Sequence, residues 1–224
     1  PDGQTVLIDG GARHDRFDTG RSVVAPFLWN RGVSHLDHII GTHQQMDHVC
    51  GLIWILRHVS VGQFWDQGVE RQEQFVTDLM SAIQSRGIPK RAAMQGQDVL
   101  NSGPCRLTIL NPQHASNPGD PIAFPTGTEL NNRSIVSRLD CGAHSILFAA
   151  DIETDGLRKL PEAGRQPVTI LKAPHHGARS SLDHEWIRQV RPQYAIISVG
   201  ATNPYGHPAP AVIKTYEDEA IAIY

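Results

Sequence analysis

Gly41-Thr42-His43-Gln44-Gln45-Met46-Asp47-His48-Val49-Cys50-Gly51-Leu52 packs two imidazoles and a carboxylate into six residues, directly after the apolar run Leu36 to Ile40. The run before it reads as a buried strand and the apolar stretch Leu52 to Val59 after it as a helix, so the polar residues are expected on a strand-to-helix loop. Loops at strand ends are where sites are built on a rigid scaffold. Neutral imidazole nitrogen and carboxylate oxygen are donors that divalent zinc, manganese or iron accept, and a short loop can turn alternate side chains toward one point. A solvated polar loop that holds histidines explains the same stretch taken alone, so the positions downstream have to decide.

At 224 residues and 40% apolar content the chain can bury a full core, and it fits one large α/β domain over 1–224 better than two small ones. With 19% charged residues and a net charge of −3, no strongly basic surface is implied overall. Nucleic-acid binding must then rest on a local patch or on a metal, and basic residues form only modest groups around Arg86 to Arg91 and Arg188 to Arg191. Twelve histidines, several beside Asp or another His, favour metal or acid/base chemistry. Cys50, Cys105 and Cys141 are widely spaced without a CxxC and read as small core residues rather than a disulfide framework or a thiolate zinc site. No apolar run reaches the ~18 residues of a membrane span, and no signal peptide is visible. The chain opens at Pro1 directly before a strand, which suggests a fragment cut from something longer.

Strand-like runs occur at Thr5 to Ile8, Leu36 to Ile40, Val61 to Trp65, Arg106 to Leu110, Ser134 to Leu139, Ser145 to Ala149, Val168 to Lys172 and Tyr194 to Val199. Phe75, Val76, Leu79, Met80 and Ile83 form one face of a helix that Gly87 should end, with Pro89 just beyond. A second helix is expected from near Ser180, where Ser180 and Asp183 have capping-box spacing, burying Leu182, Trp186, Ile187 and Val190 before Pro192 stops it. Strands and helices in two successive sets argue for two sheets flanked by helices. Asn111 to Thr128, rich in Pro, Gly, Asn and Asp, reads as a long loop.

Three further polar positions end apolar strands. Asp151 follows Ser145-Ile146-Leu147-Phe148-Ala149-Ala150, although a helix N-cap explains an Asp there about as well. His175 and His176 follow Thr169-Ile170-Leu171-Lys172-Ala173-Pro174 and precede Gly177, a placement with few structural reasons of its own. His207 stands in Asn203-Pro204-Tyr205-Gly206-His207-Pro208 after the last of these strands, where a solvated turn histidine is the plainer alternative.

The set Asp9-Gly10-Gly11, His43-x-Gln45-x-Asp47-His48-x-x-Gly51, Asn131-Asn132-x-Ser134, Asp151-Ile152-Glu153, Lys172-x-Pro174-His175-His176-Gly177 and Tyr205-Gly206-His207-Pro208 resembles the metallo-β-lactamase fold. Within that superfamily it is most similar to the C-terminal domain of the ComEC competence proteins, over nearly the whole chain. The resemblance implies an αββα sandwich with a metal site at one edge of its two sheets. It further implies the nuclease domain of a membrane DNA importer, at the extracytoplasmic face of the bacterial cell membrane. By the same resemblance, His43 and position 45 would serve a first metal, Asp47, His48 and one of His175 or His176 a second, and Asp151 would bridge both. His176 is favoured because superfamily ligands at this strand end commonly precede a Gly. Asp9 resembles a supporting residue that hydrogen-bonds a ligand.

The family usually has Asp or His where this chain has Gln45. Gln offers a carbonyl oxygen without negative charge, so the first cation should be held weakly, one or two ions are expected, and reduced hydrolysis stays open. Asn131, Asn132 and Ser134 offer neutral hydrogen-bonding groups where related hydrolases often place another His, which favours an oxygen-preferring ion such as Mn²⁺ over Zn²⁺. For phosphodiester hydrolysis, Asp47 would orient or deprotonate the attacking water, and His207 would contact the phosphate or protonate the leaving oxygen. Lys172 and Tyr205 are candidate substrate contacts, against a snorkelling lysine and a locally packed turn tyrosine. The expected function is a metal-dependent DNase that degrades the strand not imported during transformation, with DNA and the membrane channel domain of the same protein as partners. The alternatives are a small-molecule phosphodiesterase of the same fold and a degenerate, non-catalytic DNA-binding domain.

Overall fold

The computed structural model describes residues 3–69, 71–113, 127–200 and 202–224. The chain divides into two compact units, one formed by the residues up to Ala93 and the other from Met94 onward, each with a sheet and a core of its own.

The first unit runs β1 (Val6–Ile8), a ribbon of β2 (Arg13–His14) and β3 (Phe17–Asp18), a π-helical turn over Gly20–Val24 and α1 (Ala25–Asn30). It continues through β4 (His35–Ile40), α2 (Met46–His58), β5 (Ser60–Asp66), α3 (Gln74–Ser85) and β6 (Lys90–Ala92). Among the described residues its main sheet has the order β1-β4-β5-β6, and every neighbouring pair is parallel. Leu36 and Ile39 of β4, Phe64 of β5, Leu52, Ile55 and Leu56 of α2 and Leu79 and Ile83 of α3 share one core. The helix expected from Phe75 ends as its spacing predicts, with Gly87 at φ 60° and its N–H on Gln84 O at 3.0 Å. Parallel strands all point their C-terminal ends to one edge, so the residues after β1, β4 and β5 come out side by side.

Glycine permits the tight junction at that edge. A Cβ on Gly51 of α2 would overlap the Gly10 carbonyl, and one on Gly20 would overlap that of Gly51. Two backbone bonds of 2.8 Å close the junction, from Gly10 N to His48 O and from Gly51 N to Gly11 O.

The second unit contains β7 (Asp98–Ser102), β8 (Cys105–Asn111), α4 (Gly127–Asn132), β9 (Val136–Cys141), β10 (His144–Phe148), α5 (Thr154–Leu157), β11 (Ile170–Lys172), α6 (His184–Val190), β12 (Tyr194–Ile196), α7 (Pro210–Asp218) and β13 (Ala222–Ile223). Its described sheet has the order β13-β12-β11-β10-β9-β8-β7. From β7 to β10 neighbours are antiparallel; from β10 to β13 they are parallel. The C-terminal ends of β10, β11 and β12 therefore share an edge, again the place where an open α/β sheet presents its groups. Trp186, Ile187 and Val190 of α6 and Val212 and Tyr216 of α7 cover Leu147, Leu171 and Ala195 of these strands.

Several expectations need correction. The helix after β4 starts at Met46, so Asp47 and His48 sit in its first turn rather than on a loop. Gln45 is extended, and its carbonyl accepts from His48 N and Val49 N, which starts the helix before the apolar run does. The second helix starts at His184, and its cap is Asp183 alone, accepting from Glu185 N and Trp186 N; Ser180 lies in a separate short turn. Cys105 and Cys141 are not simple core residues: they stand opposite each other in register on β8 and β9 and form a disulfide, while Cys50 is a buried free thiol. Asn111 belongs to β8 and Gly127 and Thr128 to α4, while the part of the expected loop over 114–126 lies outside the described residues. β6, β7, β13, the ribbon, α1 and α7 carry short or weak patterns and were not foreseen in the sequence.

Candidate metal centre and active site

In the first unit the donors are ordered through Asp9, at the exit of β1, with φ 59° and its N–H bonded to Ile40 O at 2.9 Å. Its Oδ1 accepts from Thr42 N at 2.8 Å, and its Oδ2 accepts from the Thr42 hydroxyl and from His48 Nδ1, both at 2.8 Å. Thr42 has thus given its proton to Asp9, and its oxygen accepts from His43 Nδ1 at 3.0 Å. This chain of donors places the proton of both imidazoles on Nδ1 and the lone pair on Nε2, the arrangement in which a histidine serves as a metal ligand. His43 is fully buried and His48 nearly so, with ring centroids 4.1 Å apart. Asp47 is half exposed, with Oδ2 3.8 Å from His48 Nε2, and a carboxylate in the first turn of α2 is favoured by the helix dipole.

Gln45 is half-buried at the N-terminal boundary of α2 and makes no side-chain cap bond there. Its neighbour Gln44 is turned away: its side-chain Nε2 donates to Val69 O at 2.7 Å, while its backbone carbonyl accepts from Arg71 at 2.8 Å.

In the second unit Asp151 follows β10 and is 1% exposed. His175 and His176 follow β11, with Nε2 atoms 3.7 and 3.5 Å from Asp151 Oδ2. Those separations exceed a hydrogen bond and suit N and O donors that share a cation, each at about 2.0–2.2 Å from it. His176 Nδ1 donates to Ser198 O at 2.6 Å, which puts its lone pair on Nε2. His175 Nδ1 lies 3.6 Å from Glu153 Oε1 and 3.4 Å from Ser180 Oγ, a looser anchorage.

The backbone is strained where these donors sit. Ala150, His175 and His176 have φ of 49°, 47° and 54°, and Gly177 follows at 78°. Left-handed backbone at non-glycine residues costs about 1–2 kcal/mol each and is retained where surroundings over-determine it. Here His175 N bonds Ala150 O at 2.9 Å, and Ala209 N bonds Gly177 O at 2.9 Å.

His207 and Tyr205 come from the loop after β12. Asn203 holds that loop by accepting from His207 N at 3.0 Å and donating to His207 O at 2.7 Å. The His207 ring is 5.7 Å from that of His175, and Tyr205, 77% exposed, stacks on His207 at 22°. Burial, reinforced by the His175 and His176 rings, holds the His207 pKa below the ordinary imidazole value. Lys172, at the end of β11, donates to Ala173 O at 3.3 Å.

Asn131, Asn132 and Ser134 divide. Asn131 is buried and donates to Glu153 Oε1 at 3.0 Å. Asn132, expected to contact substrate, is a framework residue: its Oδ1 accepts from Glu153 N and Gly156 N at the start of α5. Ser134, expected to contact substrate, is fully buried, so its hydroxyl does not reach the surface, and its backbone carbonyl receives Asn111 Nδ2 at 2.7 Å. Thr42 and Glu153 stand within the quoted motifs but were given no role in the sequence, and the Ser198 carbonyl was missed. Thr42 precedes His43 and Glu153 stands two residues after Asp151, whereas a backbone carbonyl carries no side-chain signature.

A sequence model described as "Metallo-beta-lactamase superfamily" matches residues 1–201. The chain is 27% identical over 230 residues to "ComE operon protein 3" of Bacillus subtilis (strain 168), covering 97% of this chain and 28% of that protein. It is 27% identical over 218 residues to "Competence protein ComA" of Neisseria gonorrhoeae, covering 94% of this chain and 27% of that one. The chain thus spans little more than a quarter of the length of either relative. In fold it is similar to the crystal structure of Zn²⁺-bound PqqB from Methylobacterium extorquens, with TM-score 0.57, 11% identity, and coverage of 100% of this chain and 82% of that one.

Proposed function

This chain belongs to the metallo-β-lactamase superfamily, and we propose that it is a metal-dependent nuclease domain of a DNA-import protein, hydrolysing phosphodiesters of the strand that is not imported. Members of the superfamily are generally metal-dependent hydrolases. The observation that carries the proposal is the ordering of donors within each unit: His43 and His48 are relayed to Asp9, and Asp151 faces two imidazoles beyond hydrogen-bond reach. Imidazoles polarised by a carboxylate or a carbonyl on Nδ1, with buried carboxylate close by, suit a divalent cation.

In this reading His43, Gln45, Asp47 and His48 would be the cation ligands of the first unit and Asp151 with His176 those of the second, for one or two cations in all. Asp151 would be the bridging ligand if two cations bind, and His175 is the less firmly anchored alternative to His176. Such a cation supplies Lewis acidity, lowering the pKa of coordinated water and neutralising charge on the phosphoryl oxygens. Gln45 contributes a neutral oxygen, so its position binds more weakly, and an oxygen-preferring ion such as Mn²⁺ is favoured.

The residues do the rest. Asp47 takes a proton from the water whose oxygen bonds to phosphorus as the P–O bond to the leaving nucleotide breaks. His207 is shifted toward its neutral form, so it acts first as an N–H donor to a phosphoryl or leaving oxygen. Lys172 and the exposed Tyr205 are substrate contacts, and Asn131 keeps Glu153 turned toward His175.

Two observations support placement outside the cytoplasm as part of a longer membrane protein. The Cys105–Cys141 disulfide suits an oxidising compartment, and two relatives that are more than three times this chain's length carry competence-related names. No helix among the described residues is long and apolar enough to cross a membrane. Residues 1–224 are read as one functional domain. A tether to a membrane channel would raise the local concentration of the domain near DNA.

The deciding experiment assays the purified domain on linear single-stranded and duplex DNA, first with EDTA and then with Mn²⁺, Mg²⁺ or Zn²⁺ restored. Cleavage that EDTA stops and Mn²⁺ restores is the expected result. Inert DNA beside turnover of small phosphodiesters would replace the nuclease with a phosphodiesterase, and DNA binding without any turnover would make the domain a binder.

A further inference from the structure

Within the first unit, and sharing none of its lining residues with the metal-site donors, the ribbon and the C-terminal half of α2 line an open cavity of about 520 Å³. Arg13, Arg16, Arg21 and Arg57 line it, against Asp15 and Asp18, so four cations face two anions in a chain whose net charge is −3. All four arginines are exposed. The ion pair of Arg13 with Asp18 is 3.8 Å long and solvent-facing, which leaves it weak. Arg86 adds to this end of the unit by donating to the Arg57 carbonyl at 2.8 Å.

The cavity also presents rings. Phe17 of the ribbon lines it and is 49% exposed. On the α2 side, His58 lies flat on Trp54, with centroids 4.1 Å apart and planes at 13°, and its Nδ1 is held by Trp54 O at 2.8 Å. Beyond the lining, Trp29, 58% exposed, meets Trp54 edge-on at 6.1 Å. Arginines spaced among rigid exposed rings match a flexible polyanion that carries planar groups. Phosphates take the guanidinium forks, while unpaired bases stack on the rings. A duplex buries its base faces and can use only the charges. α2 itself links the two regions: it bears Asp47 and His48 at one end and Arg57 and His58 at the other, roughly 14 Å apart at ~1.5 Å per residue.

We infer that this arginine and aromatic cavity is a binding groove for a single-stranded segment of the nucleic-acid substrate, which it holds along α2. The inference deepens the nuclease proposal and rests on it for the identity of the substrate, but binding in the groove is measurable without any cleavage.

The test is fluorescence anisotropy with a labelled oligothymidylate of about 12 nucleotides, in EDTA so that neither metal nor hydrolysis contributes. Wild type is compared with the charge reversal Arg16→Glu/Arg21→Glu/Arg57→Glu and with Phe17→Ala, all at exposed positions. Melting temperature and Mn²⁺-dependent hydrolysis of bis(p-nitrophenyl) phosphate serve as controls that should stay at wild-type values. The charge reversal should weaken binding at least tenfold and lower the slope of log K against log salt by about 2. Phe17→Ala should weaken it about tenfold with the slope unchanged. Wild-type affinity in both variants, absence of binding by the wild type, or tighter binding of a duplex of equal length would overturn the groove. If the wild type cleaves DNA and the variants bind and cleave as well, the nuclease stands and the groove falls. If no metal supports cleavage yet the variants lose oligonucleotide binding, the groove stands and the nuclease falls. A cavity that serves instead to dock another polypeptide would show itself as no oligonucleotide binding, and would also overturn the inference.

Discussion

Asp9 and His48 stand 39 positions apart in the chain and meet in a 2.8 Å hydrogen bond from the imidazole Nδ1 to the carboxylate. The contact exists because β1 and β4 are parallel neighbours whose C-terminal ends share an edge, and because Gly10 and Gly51 let β1 and α2 approach to backbone contact. Asp9 consequently governs two imidazoles, His48 directly and His43 through Thr42.

Asp9→Asn keeps the size of the side chain but removes its charge. It should lower Mn²⁺ affinity about 10–100-fold while changing the melting temperature little. Isothermal titration of the metal-free protein measures this directly, and unchanged affinity would reduce Asp9 to a purely structural residue.

Gln45→Asp should bind Mn²⁺ more tightly, because a carboxylate replaces a neutral amide beside the cation. If the weaker position limits the chemistry, the cleavage rate rises as well. No gain in either titration or rate would mean that position 45 is not a ligand.

Asp151→Ala removes the proposed bridge, and the nearby Glu153 carboxylate is held by Asn131 and lies against His175 Nδ1 rather than Nε2. DNA cleavage should fall to background and bound Mn²⁺, counted by elemental analysis, should drop, with the circular dichroism spectrum retained. An active variant would refute the bridging role.

Cys105 and Cys141 are bonded and Cys50 is not, so the denatured, unreduced protein should titrate one thiol, and three after reduction. Closing a 36-residue separation should stabilise the domain by about 3–4 kcal/mol, read as a lower melting temperature in reductant. Three thiols without reduction would rule the bond out.

Asp183 carries the acid sensitivity of α6. Burial pushes its carboxyl upward, but the Trp186 N–H, the Arg158 guanidinium and the Glu185 N–H outweigh that, and the net effect holds it below the ordinary carboxylate value. A depressed folded-state pKa stabilises above the unfolded value and is lost as pH falls through the folded one. Asp183→Asn should therefore be less stable near neutrality, and its melting temperature should decline less than wild type as pH is lowered from about 5 to 2. Parallel declines would show that Asp183 contributes no pH dependence.

Much of this was legible in the chain itself. Apolar alternation around Leu36 to Ile40 and the 3.6-residue spacing of Phe75 to Ile83 report burial, and burial is a local property that each element writes into its own residues. The stations of the polar groups follow, since Asp9, His43, Asp151, His175 and His176 each stand just past an apolar strand. The superfamily was legible for the same reason. Tertiary structure alone decided which way those groups point and what holds them. The proton positions on His43, His48 and His176 depend on Thr42, Asp9 and the Ser198 carbonyl, partners that in two cases lie 39 and 22 positions away. Asn132 turned out to cap α5, and Cys105 to face Cys141, through pairings that no local pattern records. Arg13 and Arg16 lie more than forty residues from Arg57 and share one basic cavity only because the ribbon folds against α2. Periodicity encodes how deep a residue sits, whereas hydrogen-bond geometry and charge clustering depend on neighbours that only the folded backbone supplies.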